Sequence, residues 1–172
     1  VCSFGTLEAL SDEFGGKRYG EAAASATWQT FSRWGGAAIA RDEKAYQSAC
    51  AAWYLFAWLP DDAELGEQRF NTQPSDHAIA FDYLEAHRDS LEPLETSVIK
   101  VSTKSPYSFY SVVTVISEDR LRVQEIYTGQ TLIVDVLAST SYDQGDVLFT
   151  AVLSINVMSV LLGCMPVPLD AS

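Results

Sequence analysis

The chain has 172 residues, 48% of them apolar and 20% charged, a globular balance that excludes wholesale disorder and leaves material for a sizeable core. Its formal net charge is −12, from 23 acidic residues against 11 Lys and Arg, and no Lys or Arg follows Arg122. Nucleic-acid binding needs clustered cations to displace counterions from phosphates, so nucleic acid is not an expected partner.

Cys2, Cys50 and Cys164 are widely separated and form no Cys-x-x-Cys pair, which suits reduced thiols and neither a disulfide framework nor a zinc site. No basic stretch followed by an apolar run opens the chain, which fits a cytoplasmic location.

Thr6 to Phe14 can form a short helix, with Leu7, Leu10 and Phe14 on one face and Gly15-Gly16 as its stop. Glu21 to Trp34 is Ala-rich, with Trp28 and Phe31 three apart. The strongest helical pattern runs from Asp42, a candidate cap, to Leu59, with Pro60 beyond it. Tyr46, Cys50, Trp53 and Ala57 form one stripe; Ala45, Ala49, Ala52 and Phe56 form the next. A stripe that wide implies burial on most sides.

After a polar loop from Pro60 to Pro74, Ser75 or Asp76 can cap a helix to His87, with Ile79, Ala80, Tyr83 and Leu84 inward. A further helix runs from Leu91 to Thr103, with Leu94, Val98 and Val101 inward and Pro93 in its first turn, where a missing N–H costs nothing.

From Tyr107 the apolar period changes from helical to two. Strands are predicted over Phe109–Ile116, Arg120–Tyr127, Thr131–Leu137, Asp146–Leu153 and Val157–Leu162. Glu118-Asp119, Thr128-Gly129-Gln130 and Gln144-Gly145 have the residue types of tight turns. Val147 to Leu169 carries no charge and is long enough to span a bilayer as a helix. Its two prolines and its interspersed Thr150, Ser154, Asn156 and Ser159 instead predict two buried strands joined at Ser154-Ile155-Asn156, and no membrane partner. The expected class is α+β: four to five helices over 1–104, packed on a small antiparallel sheet or half-open barrel of five strands over 105–172.

Few residues invite chemistry. His77 and His87 lie ten apart in a predicted helix, hence about 80° apart around its axis, and make no zinc pair. Asp76 beside His77 reads as a cap, and Cys50 within an apolar stripe as a small filler. Asp61-Asp62 and Asp143 with Asp146 lack the alternating acidic pattern and glycine of a calcium loop. Tyr107, Phe109 and Tyr110 could offer a base an aromatic platform, but with only Lys100 and Lys104 nearby core packing is the better reading. No nucleophile motif such as Gly-x-Ser-x-Gly or Ser-x-x-Lys stands in a strand–turn–helix setting. No catalytic, cofactor-binding or metal residue is therefore assigned.

The segments Phe81 to Glu95 (FDYLEAHRDSLEPLE) and Ser105 to Val112 (SPYSFYSV) resemble the bacterial SEC-C motif-containing proteins. So do Trp58 to Asp61 (WLPD), Ile126 to Gln130 (IYTGQ), Ala138-Ser139, Gly145 to Phe149 (GDVLF) and Gly163 to Pro168 (GCMPVP). The resemblance covers residues 50 to 168 and rests on short turn-forming motifs. It implies kinship to a family whose named chemistry is a small zinc knuckle, but Cys2, Cys50 and Cys164 do not match that knuckle, so no zinc ligand is carried over.

The leading expectation is a non-catalytic module that binds a protein partner. The alternatives are a hydrolase-like enzyme, with a site between the helices and the β part using Asp76, His77 or an acidic loop, and a single-strand nucleic-acid binder using the small barrel.

Overall fold

The computed structural model describes residues 25, 27–29, 31, 43–58, 78–136 and 141–167. The expectations for Cys2, Thr6 to Phe14, the Asp42 cap, Pro60 to Pro74 with Asp61 and Asp62, Asp76, His77 and Ala138-Ser139 lie outside these residues. Among the described ones, 25, 27–29 and 31 are helical, followed by α1 (Glu43–Phe56), α2 (Ile79–Ala86) and α3 (Pro93–Ser102). Five strands follow: β1 (Tyr107–Ser117), β2 (Arg120–Glu125), β3 (Thr131–Asp135), β4 (Val147–Ile155) and β5 (Met158–Val167). The class is α+β with a small barrel.

The strands close in the order β1-β2-β3-β5-β4. The sequence pattern predicts a small antiparallel sheet or half-open barrel; the barrel is closed, and its closing contact, Asp135 against Val160 of β3 and β5, is parallel. Closure depends on β1 serving two neighbours. Its first half, Tyr107 to Ser111, pairs with β4, and Tyr110 to Ser117 pairs with β2. Register shifts at Val112/Thr114 and Val115/Ser117 bend the strand between the two sheets, as bulges do.

Tyr110, Val112, Leu121, Val123, Val134 and Leu148 fill the barrel interior. The helices cover one side of its exterior, where Phe31, Tyr46, Ala49 and Cys50 meet Phe149 and Met165. Because β4 is covered on both faces, Val147 to Ala151 is buried without alternation. That double cover explains the uncharged run tested above as a membrane segment. It forms two strands around an Asn156-Val157 turn, two residues later than predicted, with Asn156 at φ 56°. No helix of the described residues is long and apolar enough to cross a membrane.

The helices differ from expectation in two details. The N-cap of α2 is Ala78, with no side-chain cap, so neither Ser75 nor Asp76 fills that position; Ile79, Ala80, Tyr83 and Leu84 are buried as predicted. In α3, Leu94 is 45% exposed, while Ile99 and Ser102 are the buried residues. The helix starts at Pro93, capped by Glu92 with Glu95 in a reciprocal capping box, and turns its last two turns onto β4.

Gly163 sets how closely α1 approaches β5. Its φ is 58°, and a Cβ there would lie 2.5 Å from Ala52 Cβ and 3.2 Å from the Ala49 carbonyl oxygen. Gly163→Ala is expected to destabilise the protein by about 3 kcal/mol, from overpacking and left-handed backbone together, read as a lower midpoint of urea unfolding.

Candidate functional site

Among the described residues, the barrel exterior that no helix covers is formed by β2, β3 and the second half of β1. On β2, burial alternates strictly, with Leu121, Val123 and Glu125 inward and Arg120, Arg122 and Gln124 outward. Register then places Thr114, Arg122 and Ile133 in one row across β1, β2 and β3, and Gln124 beside Thr131 in the next. The parallel register at Asp135 and Val160 brings Ile133 level with Met158 on β5. Ile133 is 52% exposed, Met158 57% and Val157, at the β4–β5 turn, 100%.

The charges on this face are unequal. Arg120 donates from Nε to Asp135 Oδ1 at 2.8 Å. Arg122 makes no ion pair among the described residues, so the last cation of the chain lies at the centre of the bare face. Gln124 Nε2 donates to the Gly129 carbonyl at 3.0 Å, which ties it to the β2–β3 turn. At the β1–β2 turn, the Ser117 hydroxyl donates to Asp119 and holds its carboxyl below the usual range.

The β2–β3 turn is built around Glu125. Its carboxylate accepts from the Ser108 hydroxyl and from the Thr128 N–H, and Gly129, at φ 72°, donates to the Glu125 carbonyl at 2.9 Å. The hydrogen bonds from Ser108 and Thr128 hold the carboxyl down at about 2.

The residues singled out from sequence do not assemble into a catalytic centre among the described residues. His87 packs against Tyr83, ring centroids 4.5 Å apart, at the end of α2. Asp143 and Asp146 close a turn on themselves: the Asp143 N–H donates to the Asp146 carboxylate at 2.8 Å, and the Asp146 N–H to the Asp143 carbonyl at 3.1 Å. Tyr107 and Phe109 pack at a tilt against Phe149, and Tyr110 lies in the barrel core, so the aromatic trio is packing and no platform. Burial pushes the Cys50 thiol up to about 12 and Cys164 to about 11, where neither is a thiolate at neutral pH. The contact between helices and barrel, the predicted place of a catalytic groove, is filled by Phe31, Tyr46, Phe149 and Met165.

Sequence reasoning missed Arg122, Ile133 and Met158 as one surface. Each residue by itself was visible: Arg122 is the last cation, and Ile133 and Met158 sit at outward positions of their strands. What joins them is the parallel β3–β5 closure, which no local pattern encodes. Comparison with family models, with curated proteins and with solved structures finds no match for this chain.

Two tests follow from the buried groups. Cys50 and Cys164 are expected to stay unlabelled by iodoacetamide in the native protein and to label on unfolding, read by peptide mass spectrometry. For Glu125, the folded carboxyl sits near 2 against an ordinary 4.5, so its stabilisation is full above 4.5 and is lost as pH falls toward 2. Glu125→Gln is therefore expected to lower the melting temperature at neutral pH and to flatten its fall between about pH 5 and pH 2.

Proposed function

We propose that the chain is a cytoplasmic, non-catalytic module that binds a protein partner through the bare face of β1, β2 and β3 and the adjoining β4–β5 turn. The observation that carries this reading is the row of Ile133, Met158 and Val157, each more than half exposed, beside an Arg122 without an ion pair among the described residues. Neighbouring exposed apolar groups around one arginine suit a protein surface, since apolar area supplies affinity and a guanidinium supplies orientation. The same face is poor in cations and has no exposed aromatic ring in its central row, which weighs against a nucleic-acid strand. Kinship with the SEC-C proteins belongs to the same proposal, supported by Gly129 and Gly145, whose positive φ explains why those motif positions are glycine.

A photo-crosslinking residue at Met158, compared with one at the exposed Ser97 of α3, tests the reading in cytosol from the native source. The expected result is one recurrent protein adduct from Met158 and none from Ser97. Replacing Ile133 by Asp in the Met158 crosslinking protein is expected to remove that adduct, at a cost of about 2 kcal/mol in binding. Adducts of equal yield and identity from both positions would overturn the assignment of the face.

One observation favours a second reading. A five-stranded Greek-key barrel uses this strand 2–3 face, flanked by the β1–β2 and β4–β5 turns, to hold oligonucleotides in OB-type domains. Retardation of a labelled oligo-dT at low salt, abolished by Arg122→Ala, would favour it over protein binding.

A further inference from the structure

β3 and β5 run side by side in parallel, so the turns that feed them lie at the same end of the barrel. Counting back by twos from Asp135 and Val160 sets Ile133 beside Met158 and Thr131 beside Asn156. Thr131 leaves the β2–β3 turn and Asn156 belongs to the β4–β5 turn, which makes the two turns neighbours. Together they expose large apolar groups: Ile126 is 49% exposed and Tyr127 77%, next to the exposed Val157 and Met158. Residues 126–131 and 154–159 include no charged residue, whereas the opposite end of the barrel bears Glu118, Asp119, Arg120 and Asp135. The apolar end is also held in shape. Thr128 and Gly129 donate their backbone N–H groups to Glu125, and the Gln130 N–H donates to Thr128 Oγ1 at 3.3 Å. The Tyr127 ring meets Phe109 edge-on at 6.3 Å, and the Ser154 and Ser159 hydroxyls hydrogen-bond across the second hairpin at 2.9 Å.

We infer that this end of the barrel enters the partner: Ile126, Tyr127, Val157 and Met158 form a rigid knob that inserts into a concave apolar pocket on a protein of net positive charge. This rests on the protein-binding reading above and deepens it, by moving the centre of contact from the sheet face to the turns. An exposed tyrosine on a fixed turn buries a large area at little cost in conformational entropy, and such residues carry most of the energy of an interface. The shape selects the pocket, because two hairpin tips are convex and only a concave surface covers both. A second copy of this chain offers another convex end and a second charge of −12, so it is unsuited. The same charge, with no cation on either turn, repels an anionic bilayer surface and steers a basic protein toward the chain.

The test places a photo-crosslinking residue in the whole chain at Val157, at Met158 or, as a control at the other barrel end, at Ile116, in cytosol from the native source. Val157 and Met158 are expected to capture the same basic protein, and Ile116 to capture none. That protein, purified and titrated with the whole chain, is expected to lose at least about tenfold in affinity with Tyr127→Ser, to keep it with Tyr127→Phe, and to bind more weakly as salt is raised. Both substitutions fall on an exposed side chain, so an unchanged melting temperature separates lost contact from lost fold. A Met158 adduct that persists with Tyr127→Ser and disappears with Ile133→Asp would sink insertion of the turns and keep the binding face. Adducts no stronger from Val157 and Met158 than from Ile116 overturn both. Capture of a second copy of the chain, or flotation with phosphatidylcholine vesicles that Tyr127→Ser abolishes, would also overturn the inference.

Discussion

The barrel depends on one strand satisfying two neighbours. Eleven residues of β1 must pair with β4 at one end and β2 at the other, and a flat strand cannot do both. The register shifts after Val112 and Val115 supply the bend, and the chain guards the point where it occurs. The Val112 N–H donates to the Asp146 carbonyl, and its C=O accepts from the Gly145 N–H, both at 2.8 Å. Gly145, at φ 97°, makes that reciprocal pair possible, because a side chain is strained in such a backbone. Without the bend, β2 and β4 would lie in one open sheet with exposed edges, and Val123 and Leu148 would have no common interior.

The same bend decides which part of the barrel is bare. The β4 side of β1 is carried under the helices, where Tyr107 and Phe109 pack against Phe149. The β2 side is carried away from them, so β2 alternates between buried and exposed while β4 is buried on both faces. This division also orders the charges. The covered strands can hold no cation without an unpaired burial cost of several kcal/mol, whereas β2 can hold Arg120 and Arg122 in water. The absence of Lys and Arg after Arg122 is thus partly a packing consequence, since β4 and β5 follow it in the chain and lie under or beside the helices.

Much of this architecture is legible in the residues. Period-two alternation marks β2 because one of its faces meets water, and Gly129 and Gly145 mark turns because their backbones are left-handed. Legibility ends where a residue's neighbour is distant in sequence. Leu94 fits an inward helical stripe as well as Ile99 does, and only the docking of α3 on β4 selects Ile99 and Ser102. Asp76 has the chemistry of a cap, but the turn at Ala78 starts α2 later than that chemistry suggests. The parallel closure of β3 on β5 leaves no mark in either strand, so the sequence supports a half-open barrel equally well.

That last ambiguity is informative about the site. A barrel closed along its whole length would bury the backbone of β3, and one left fully open would expose a long edge prone to uncontrolled pairing. In this chain β5 runs beside β3 and closes the barrel, with Asp135 and Val160 as the ladder pair. Asp135 is itself held by Arg120, so the closing contact is fixed at the end bearing the β1–β2 turn. At the other end, the Glu125 carboxylate and Gly129 hold the β2–β3 turn in one geometry. The face between these anchors carries the exposed Ile133. Preorganisation of that kind lowers the ordering cost of binding on this side of a complex and leaves it to the partner.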